Sequence, residues 1–422
     1  MRPSRRGAPA GGQRPRGVLT TPLAIVVATV LIDLIGFGIV LPLLPLWAEE
    51  FGASPVVIGL LTASYALMQF VFAPIWGRLS DRYGRRPVIL ISLAGSAVSA
   101  LLIGLAGTLA LLFVARILHG ISGASYAAAQ AYVADVTSRE ERARGMGLIG
   151  AAFGVGFVLG PAIGALCAHV SPELPFFVAS GLAAANFAVA WFRLPESRGP
   201  GARAEATPRL ELLRRALGRR ELGPLVLLSF VGTFAFVAME STFALFGDRR
   251  FGYSPAEVGL LFAYIGVASV AAQGFVVGRL TARHGEARVL RWGLIGTGAG
   301  LALLAVADVL WLLLIALALL AGASGLVFAT VTALVSLAAG EDHQGGALGL
   351  LASSGGLARI AGPVAALALF QAAGPAAPLL MGAALFAGCA VLAARGLPPR
   401  PAPAGASEPS RRGTSDPSGR PV

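Results

Sequence analysis

Four charged side chains stand deep inside long apolar runs: Asp33, Arg116, Glu240 and Arg359. A charge at the centre of a membrane helix costs roughly 2.5–3.5 kcal/mol on insertion scales. Residues kept at that cost face a cavity, pair with one another or carry protons. Asp33 lies about twelve residues into its run, ~18 Å deep at ~1.5 Å per residue and so near a bilayer midplane. A carboxyl group there can carry a proton, and Arg116 is its partner by charge. A pair that opens on protonation would couple proton movement to a conformational change; the plainer alternative is a structural ion pair. Glu240, within Ala238-Met239-Glu240-Ser241-Thr242, is either a second proton or cation site or an interfacial carboxylate near Arg249 and Arg250. Asp33, Arg116 and Glu240 form the expected proton-coupling set.

Two further residues are candidates for a substrate cavity. Arg359 precedes Gly362-Pro363 and either meets a carboxylate or serves structure. Gln130 follows Arg116 by fourteen residues, about 40° away around one continuous helix. It either lines the same cavity or bonds between helices. His119 reads as a packed histidine rather than a relay. Asp308, Glu341 and Asp342 fall outside the apolar runs and read as solvated.

These residues need elements to hold them at depth. Of 422 residues, 56% are hydrophobic and 13% charged, with a mean hydropathy of +0.76. Soluble domains carry about 25% charged residues, so this chain cannot cover a water-facing surface. Twelve apolar stretches reach helical membrane length: 21–46, 56–76, 88–106, 109–134, 145–168, 174–193, 223–247, 256–278, 288–307, 310–338, 345–372 and 376–395. They are continuous rather than short and alternating, which excludes a membrane β-barrel. The expected class is an all-α membrane protein.

All 33 basic residues are arginine, giving a net charge of +12. Of these, 29 fall in the tails and loops on the side of the N-terminus; only Arg249 and Arg250 lie on the other side. Positive charge marks the cytoplasmic side, so both termini are expected there, in a multi-pass protein of the plasma or inner membrane. Basic charge spread over short loops also argues against a nucleic-acid partner. Arg2, Arg5, Arg6, Arg14 and Arg16 precede the first run as in a signal peptide, but that run is long and contains Asp33, so an uncleaved first span is expected. The expected divisions are an N-terminal tail 1–20, a bundle 21–193, a linker 194–222, a second bundle 223–395 and a disordered tail 396–422. Cys167 and Cys389 lie in apolar runs without a CxxC pair or a His cluster, so no metal site or disulfide is expected.

The two bundles repeat one another. Phe51-Gly-Ala-Ser-Pro-Val-Val-Ile-Gly-Leu-Leu61 recurs as Phe251-Gly-Tyr-Ser-Pro-Ala-Glu-Val-Gly-Leu-Leu261, with seven of eleven positions identical. Gly77-Arg-Leu-Ser-Asp-Arg-Tyr-Gly84 recurs as Gly278-Arg-Leu-Thr-Ala-Arg-His-Gly285, and Gly160-Pro161 as Gly362-Pro363. Six spans per copy make the repeats parallel, an arrangement suited to rocking one half against the other around a midplane site.

Gly77-Arg-Leu-Ser-Asp-Arg-Tyr-Gly-Arg-Arg86 matches G-x-L-x-D-R-x-G-R-R, the loop signature of the major facilitator superfamily. The fourth span carries Arg116-x3-Gly120, and the fifth Gly156-x3-Gly160-Pro161-x2-Gly164, which resembles the antiporter signature of that superfamily. Asp33-Leu-Ile-Gly36-Phe-Gly38-Ile-Val-Leu-Pro42-Leu-Leu-Pro45 is similar to the first helix of tetracycline-efflux pumps. Over residues 20–395 the chain thus resembles the superfamily's drug/proton antiporters. The resemblance implies twelve transmembrane helices in two parallel six-helix repeats around a central cavity, with the first and fourth helices lining it. It also implies a cytoplasmic gate in the loop Gly77, Asp81, Arg82, Gly84, Arg85 and Arg86, with Asp81 as the latch. In physical terms, Gly77 and Gly84 would permit the turn, the arginines would fix the side, and a carboxylate near a helix N-terminus is favourable. Ala282 replaces Asp81 in the second copy, so any latch is one-sided. Gly156, Gly160 and Gly164 share one helix face, along which a neighbouring helix can approach closely, and Pro161 bends the span.

Without lysine there is no Walker A motif, which excludes ATP-driven transport by this chain. The expected function is proton-coupled export of small amphipathic compounds by alternating access. The expected partners are a small-molecule substrate, protons and the bilayer, with no cofactor and a monomeric state. An uptake symporter of the same fold, or a membrane receptor or enzyme without transport, are the alternatives. Because Asp33, Glu240, Arg116 and Arg359 sum to zero charge, the sequence selects neither cations nor anions.

Overall fold

The computed structural model describes residues 21–123, 125–138, 141–197, 222–340 and 344–396. The tail 1–20, linker residues 198–221, Glu341 and Asp342, and the tail from 397 onward lie outside the described residues. The rest is helical: α1 (Thr21–Glu50), α2 (Pro55–Tyr83), α3 (Arg85–Gly104), α4 (Leu109–Ser122), α5 (Ser125–Val136), α6 (Arg142–Ala168) and α7 (Leu174–Arg193). Then follow α8 (Leu222–Phe251), α9 (Pro255–Ala271), a π-helical stretch (Ala272–Val277), α10 (Gly278–His284), α11 (Glu286–Val306), α12 (Leu310–Ala339), α13 (Gln344–Ala373) and α14 (Ala377–Gly396). Among the described residues, twelve spans are long and apolar enough to cross a membrane, α4 with α5 forming one and α9 through α10 another.

Helices are the form such sequences take in hydrocarbon, because each backbone N–H and C=O then finds a partner within its own segment. The turns between them rest on glycine. Gly52 and Gly252, at equivalent places in the repeat, have φ of +74° and +70°. Gly84 and Gly285 likewise lie at +103° and +77°. After the first pair, Ser54-Pro55 and Ser254-Pro255 start α2 and α9 with an extended serine and a proline in the first turn. The second copy adds a complete capping box: the Ser254 hydroxyl accepts from Glu257 N at 3.4 Å, and the Glu257 carboxylate accepts from Ser254 N at 2.8 Å. Val57 stands where Glu257 does, so the first copy has no such box.

Two expectations about elements change. Gly77 was expected to loosen a loop; it sits inside α2, which runs on to Tyr83, and only Gly84 makes the turn. The fourth span was expected to be one helix; it breaks at Gly123 into α4 and α5. With that break, Gln130 of α5 no longer keeps the ~40° offset from Arg116 of α4 that one continuous helix would give it.

Within the first half, α1 packs on α6 and α7, and α3 on α7; in the second, α8 packs on α13 and α14, and α11 on α12. The α1–α6 crossing is made by glycine on both sides. A Cβ added to Gly160 would lie 2.7 Å from Gly38 Cα and from Ile35 O, and one added to Gly164 3.2 Å from Ile39 O. The two halves meet through α2 on α13 and α6 on α9. These crossings are equivalent: a Cβ on Gly59 would stand 2.8 Å from Pro363 O, and one on Gly259 3.0 Å from Pro161 O. The repeated glycine of each half therefore lies against the Gly-Pro element of the other.

The near face of the bundle is the one where α1 begins. At the far face the halves are tied by an ion pair, Arg249 Nη2 to Glu49 Oε1 at 2.5 Å, and by Val56 N donating to Gln371 Oε1 at 3.2 Å. Toward the near face, α2 from Val71 to Tyr83 has Ser80 as its one buried residue, and α10 buries none.

Two substitutions separate packing within a half from closure between halves. Gly160→Val should destabilise the protein by about 1–3 kcal/mol through overpacking, seen as a lower Tm in detergent; an unchanged Tm would contradict the close approach. Gly59→Val should leave Tm near that of the parent but raise labelling of a cysteine at position 56 from the far side. Unchanged labelling would show that this crossing does not hold the far face shut.

Candidate transport cavity

Between the halves, residues of α1, α2, α4 and α8 line a narrow space of about 30 Å³. Its walls are mostly apolar, with Phe37, Val40 and Leu44 from α1 and Val237 from α8. Its polar side chains are Arg116, Glu240, Ser241 and Thr62. Arg116 is 3% exposed, its guanidinium carbon lies 4.4 Å from the centroid of the Tyr65 ring, and its Nε has no hydrogen-bond partner. Glu240 lies in the same cavity, so the interfacial reading beside Arg249 fails: Arg249 pairs with Glu49 instead. Arg359 of α13 is exposed and within electrostatic reach of Glu240, Tyr65 and Tyr126. Gln130 of α5 is not among the residues lining this cavity; it sits one turn beyond Tyr126.

Asp33 is elsewhere. It lines a second pocket, within the first half, together with Ser96, His119, Ala100 and Ala183. Phe37 and Val40 line both spaces, so α1 is the partition. The Ser125 hydroxyl donates to Asp33 Oδ2, and Ser96 is also within hydrogen-bonding reach of that carboxyl group. His119 Nε2 lies 3.5 Å from Ser96 Oγ and its ring 5.0 Å from that of Tyr65. Among the described residues no carboxylate comes within ion-pair distance of Arg116, so the expected Asp33–Arg116 pair is not formed. Linear spacing gave the depth of Asp33 but not the direction it faces.

The helix break explains how Ser125 reaches Asp33. A break at membrane depth frees backbone groups that must find other partners. The Ser92 hydroxyl donates to Ser122 O, and Ser92 Oγ accepts from Ser125 N at 2.9 Å. Gln69 Nε2 donates to Gly123 O at 3.2 Å and Trp76 Nε1 to Ile121 O at 2.5 Å. Sequence reasoning missed these supporting residues. The available signal was Gly120-Ile-Ser-Gly-Ala-Ser125, a small and polar stretch inside an apolar span.

The motif around Gly84 is built inside the first half. Arg85, 8% exposed, bonds Asp81 at 2.8 Å and Asp135 at 3.0 Å and donates to Ser80 Oγ at 3.0 Å. Glu196, reached from the end of α7, accepts from Arg85 N at 2.8 Å and Arg86 N at 3.2 Å, capping α3. Arg86 donates to Trp191 O at 2.6 Å, and Arg82 lies over the Tyr83 ring at 5.2 Å. Glu196, rather than Asp81, is thus the carboxylate at the N-terminus of α3, and Asp81 holds Arg85 of its own half. In the second copy Glu286 replaces Arg85 as Ala282 replaces Asp81, so this cluster has no counterpart there. Of the fifth-span motif, Gly156, Gly160, Pro161 and Gly164 all lie against α1 or α9, as packing rather than cavity wall. Among the described residues there is no His, Cys, Asp and Glu group that could hold a metal ion.

Comparison with known proteins fits this architecture. The Major Facilitator Superfamily profile matches residues 26–272 and 249–421. The chain is 35% identical over 384 residues to the class C tetracycline resistance protein of Escherichia coli, covering 89% of this chain and 96% of that protein. It is 31% identical over 358 residues to multidrug resistance protein 1 of Bacillus subtilis (strain 168), covering 83% and 90%. Among solved structures it resembles the human organic anion transporter MFSD10 (TETRAN), with TM-score 0.68 and 28% identity over 88% of this chain and 99% of that one. The chain belongs to the Major Facilitator Superfamily, and within it to the drug-efflux transporters rather than to any enzyme family.

Proposed function

We propose that this protein, as a monomer, exports small amphipathic compounds across the plasma or inner membrane in exchange for protons. The single observation that carries this is the partition made by α1. One side of Phe37 and Val40 faces a cavity with Arg116 and Glu240; the other faces the Asp33 pocket. A change at Asp33 is therefore one side-chain layer from the cavity wall. As a carboxylate, Asp33 accepts the Ser125 hydroxyl; on taking a proton it loses its charge and gains a donor, which alters the tie between α1 and α5. Both helices belong to the first half, and α1 also carries Glu49, which ties the far face through Arg249.

The arginine distribution supports a cytoplasmic near face and both termini on that side. The names of the relatives, tetracycline and multidrug resistance proteins, support drug-like substrates and outward transport. Asp81, Arg85 and Asp135 would hold the cytoplasmic end of the first half rigid while it rocks.

Asp33→Asn tests the coupling. Asparagine can still accept the Ser125 hydrogen bond but cannot carry a proton. In proteoliposomes the variant should lose accumulation driven by a pH gradient, yet keep one-for-one exchange of labelled for unlabelled substrate. Full gradient-driven accumulation would remove Asp33 from the mechanism.

A further inference from the structure

His119 has no part in the transport reading, yet its place in the structure is specific. It lines the Asp33 pocket, and its Nε2 lies 3.5 Å from Ser96 Oγ. Ser96, 8% exposed, is in turn within hydrogen-bonding reach of the Asp33 carboxyl group, which the Ser125 hydroxyl also meets. A single hydroxyl group thus stands between a carboxyl group and an imidazole. The His119 ring also lies 5.0 Å from that of Tyr65, and Arg116, one turn earlier on α4, stands over the same Tyr65 ring. The charged and titratable groups facing His119 are Asp33 from α1, Tyr65 from α2 and Arg116 from α4 itself; α3 offers Ser96, and α7 presents Ala179 and Ala183.

We propose that His119 is the port through which Asp33 takes up and gives back its proton, with the Ser96 hydroxyl as the relay. With Asp33 ionised, Ser96 O–H donates to the carboxylate and His119 Nε2–H donates to Ser96 Oγ. A proton then enters at Nδ1. As the Nδ1–H bond forms, the Nε2 proton passes to Ser96 Oγ, and the former Ser96 hydroxyl proton passes to Asp33. Both hydrogen bonds are then reversed: Asp33 O–H donates to Ser96 Oγ, and Ser96 O–H donates to the bare Nε2. One proton has entered at the ring and one has arrived on the carboxyl group, and His119 is neutral at the start and at the end. That suits a ring beside Arg116, which repels a lasting positive charge there. The hydrogen bond made by one nitrogen of a histidine sets which nitrogen carries the hydrogen, so the tautomer of His119 records the state of Asp33. A histidine that only packs would keep one tautomer whatever Asp33 does. This rests on the reading of Asp33 as the proton carrier and adds the route by which it is loaded.

The test follows both groups at once by magic-angle-spinning NMR of the full chain in lipid bilayers, with isotopically labelled histidine and aspartate. The His119 signals are those that His119→Phe removes, a change that keeps a ring against Tyr65. If that variant does not fold, glutamine at the other three of the four histidines isolates them. The Asp33 signal is the one missing from Asp33→Asn. As pH falls, the bare nitrogen of His119 should shift from Nδ1 to Nε2 with the same midpoint as the Asp33 carboxyl signal. In Asp33→Asn the tautomer should hold at every pH, and in Ser96→Ala Asp33 should titrate while the tautomer no longer follows it. If Ser96→Ala does not fold, the match of midpoints in the parent protein decides. A tautomer that stays fixed while Asp33 titrates, or that follows Asp33 equally well in Ser96→Ala, overturns the path yet leaves Asp33 as the carrier. An Asp33 carboxyl group that never titrates overturns the path and the coupling reading together.

Discussion

A hydrogen-bonding or charged group inside hydrocarbon has no water to turn to, and an unsatisfied one costs several kcal/mol. Among the described residues, twelve helical spans answer this for the backbone. The fourth span does not follow the rule, because its helix stops at Gly123 and resumes at Ser125. The break persists because Ser92, Gln69 and Trp76 take over the freed carbonyl and amide groups. Its consequence is functional geometry: the Ser125 side chain, re-aimed by the break, reaches Asp33. The same constraint governs the charges. Arg85 is buried among Asp81, Asp135 and Ser80, while Arg116 has only an aromatic face and a cavity.

The second organising feature is close approach of backbones. Helices in a membrane gain little from apolar contact with one another, so small residues that allow tight packing set which surfaces meet. Gly38 and Gly160 fuse α1 to α6 inside one half, whereas Gly59 and Gly259 place each half on the Gly-Pro element of the other. The inter-half crossings and the Glu49–Arg249 pair hold the far side. At the near end, by contrast, α10 buries none of its residues.

Much of this was legible in the chain. Continuous apolar runs marked the spans, and the repeat marked equivalent positions, including Gly59 and Gly259. What was not legible is azimuth. Charge alone made Arg116 the partner of Asp33, yet α1 separates them into different spaces. Glu240 read equally well as interfacial until Arg249 was seen to pair with Glu49. Gln130 moved because a helix break resets the rotation of everything after it. The motif at Gly77–Arg86 was visible as a string, but its long-range partners Asp135 and Glu196 lie about 50 and 110 residues away, where no local pattern points.

The central claim is that substrate in the cavity and a proton on the first half exchange through one moving partition. It is tested most directly by following protons while substrate alone is supplied. Proteoliposomes containing the protein and a pH-sensitive dye are prepared with no imposed pH gradient, and a transported compound is added to one side. The account predicts that substrate entering down its own gradient drives protons the opposite way, and that the dye signal vanishes with a protonophore. Substrate movement without any proton counterflow would contradict it.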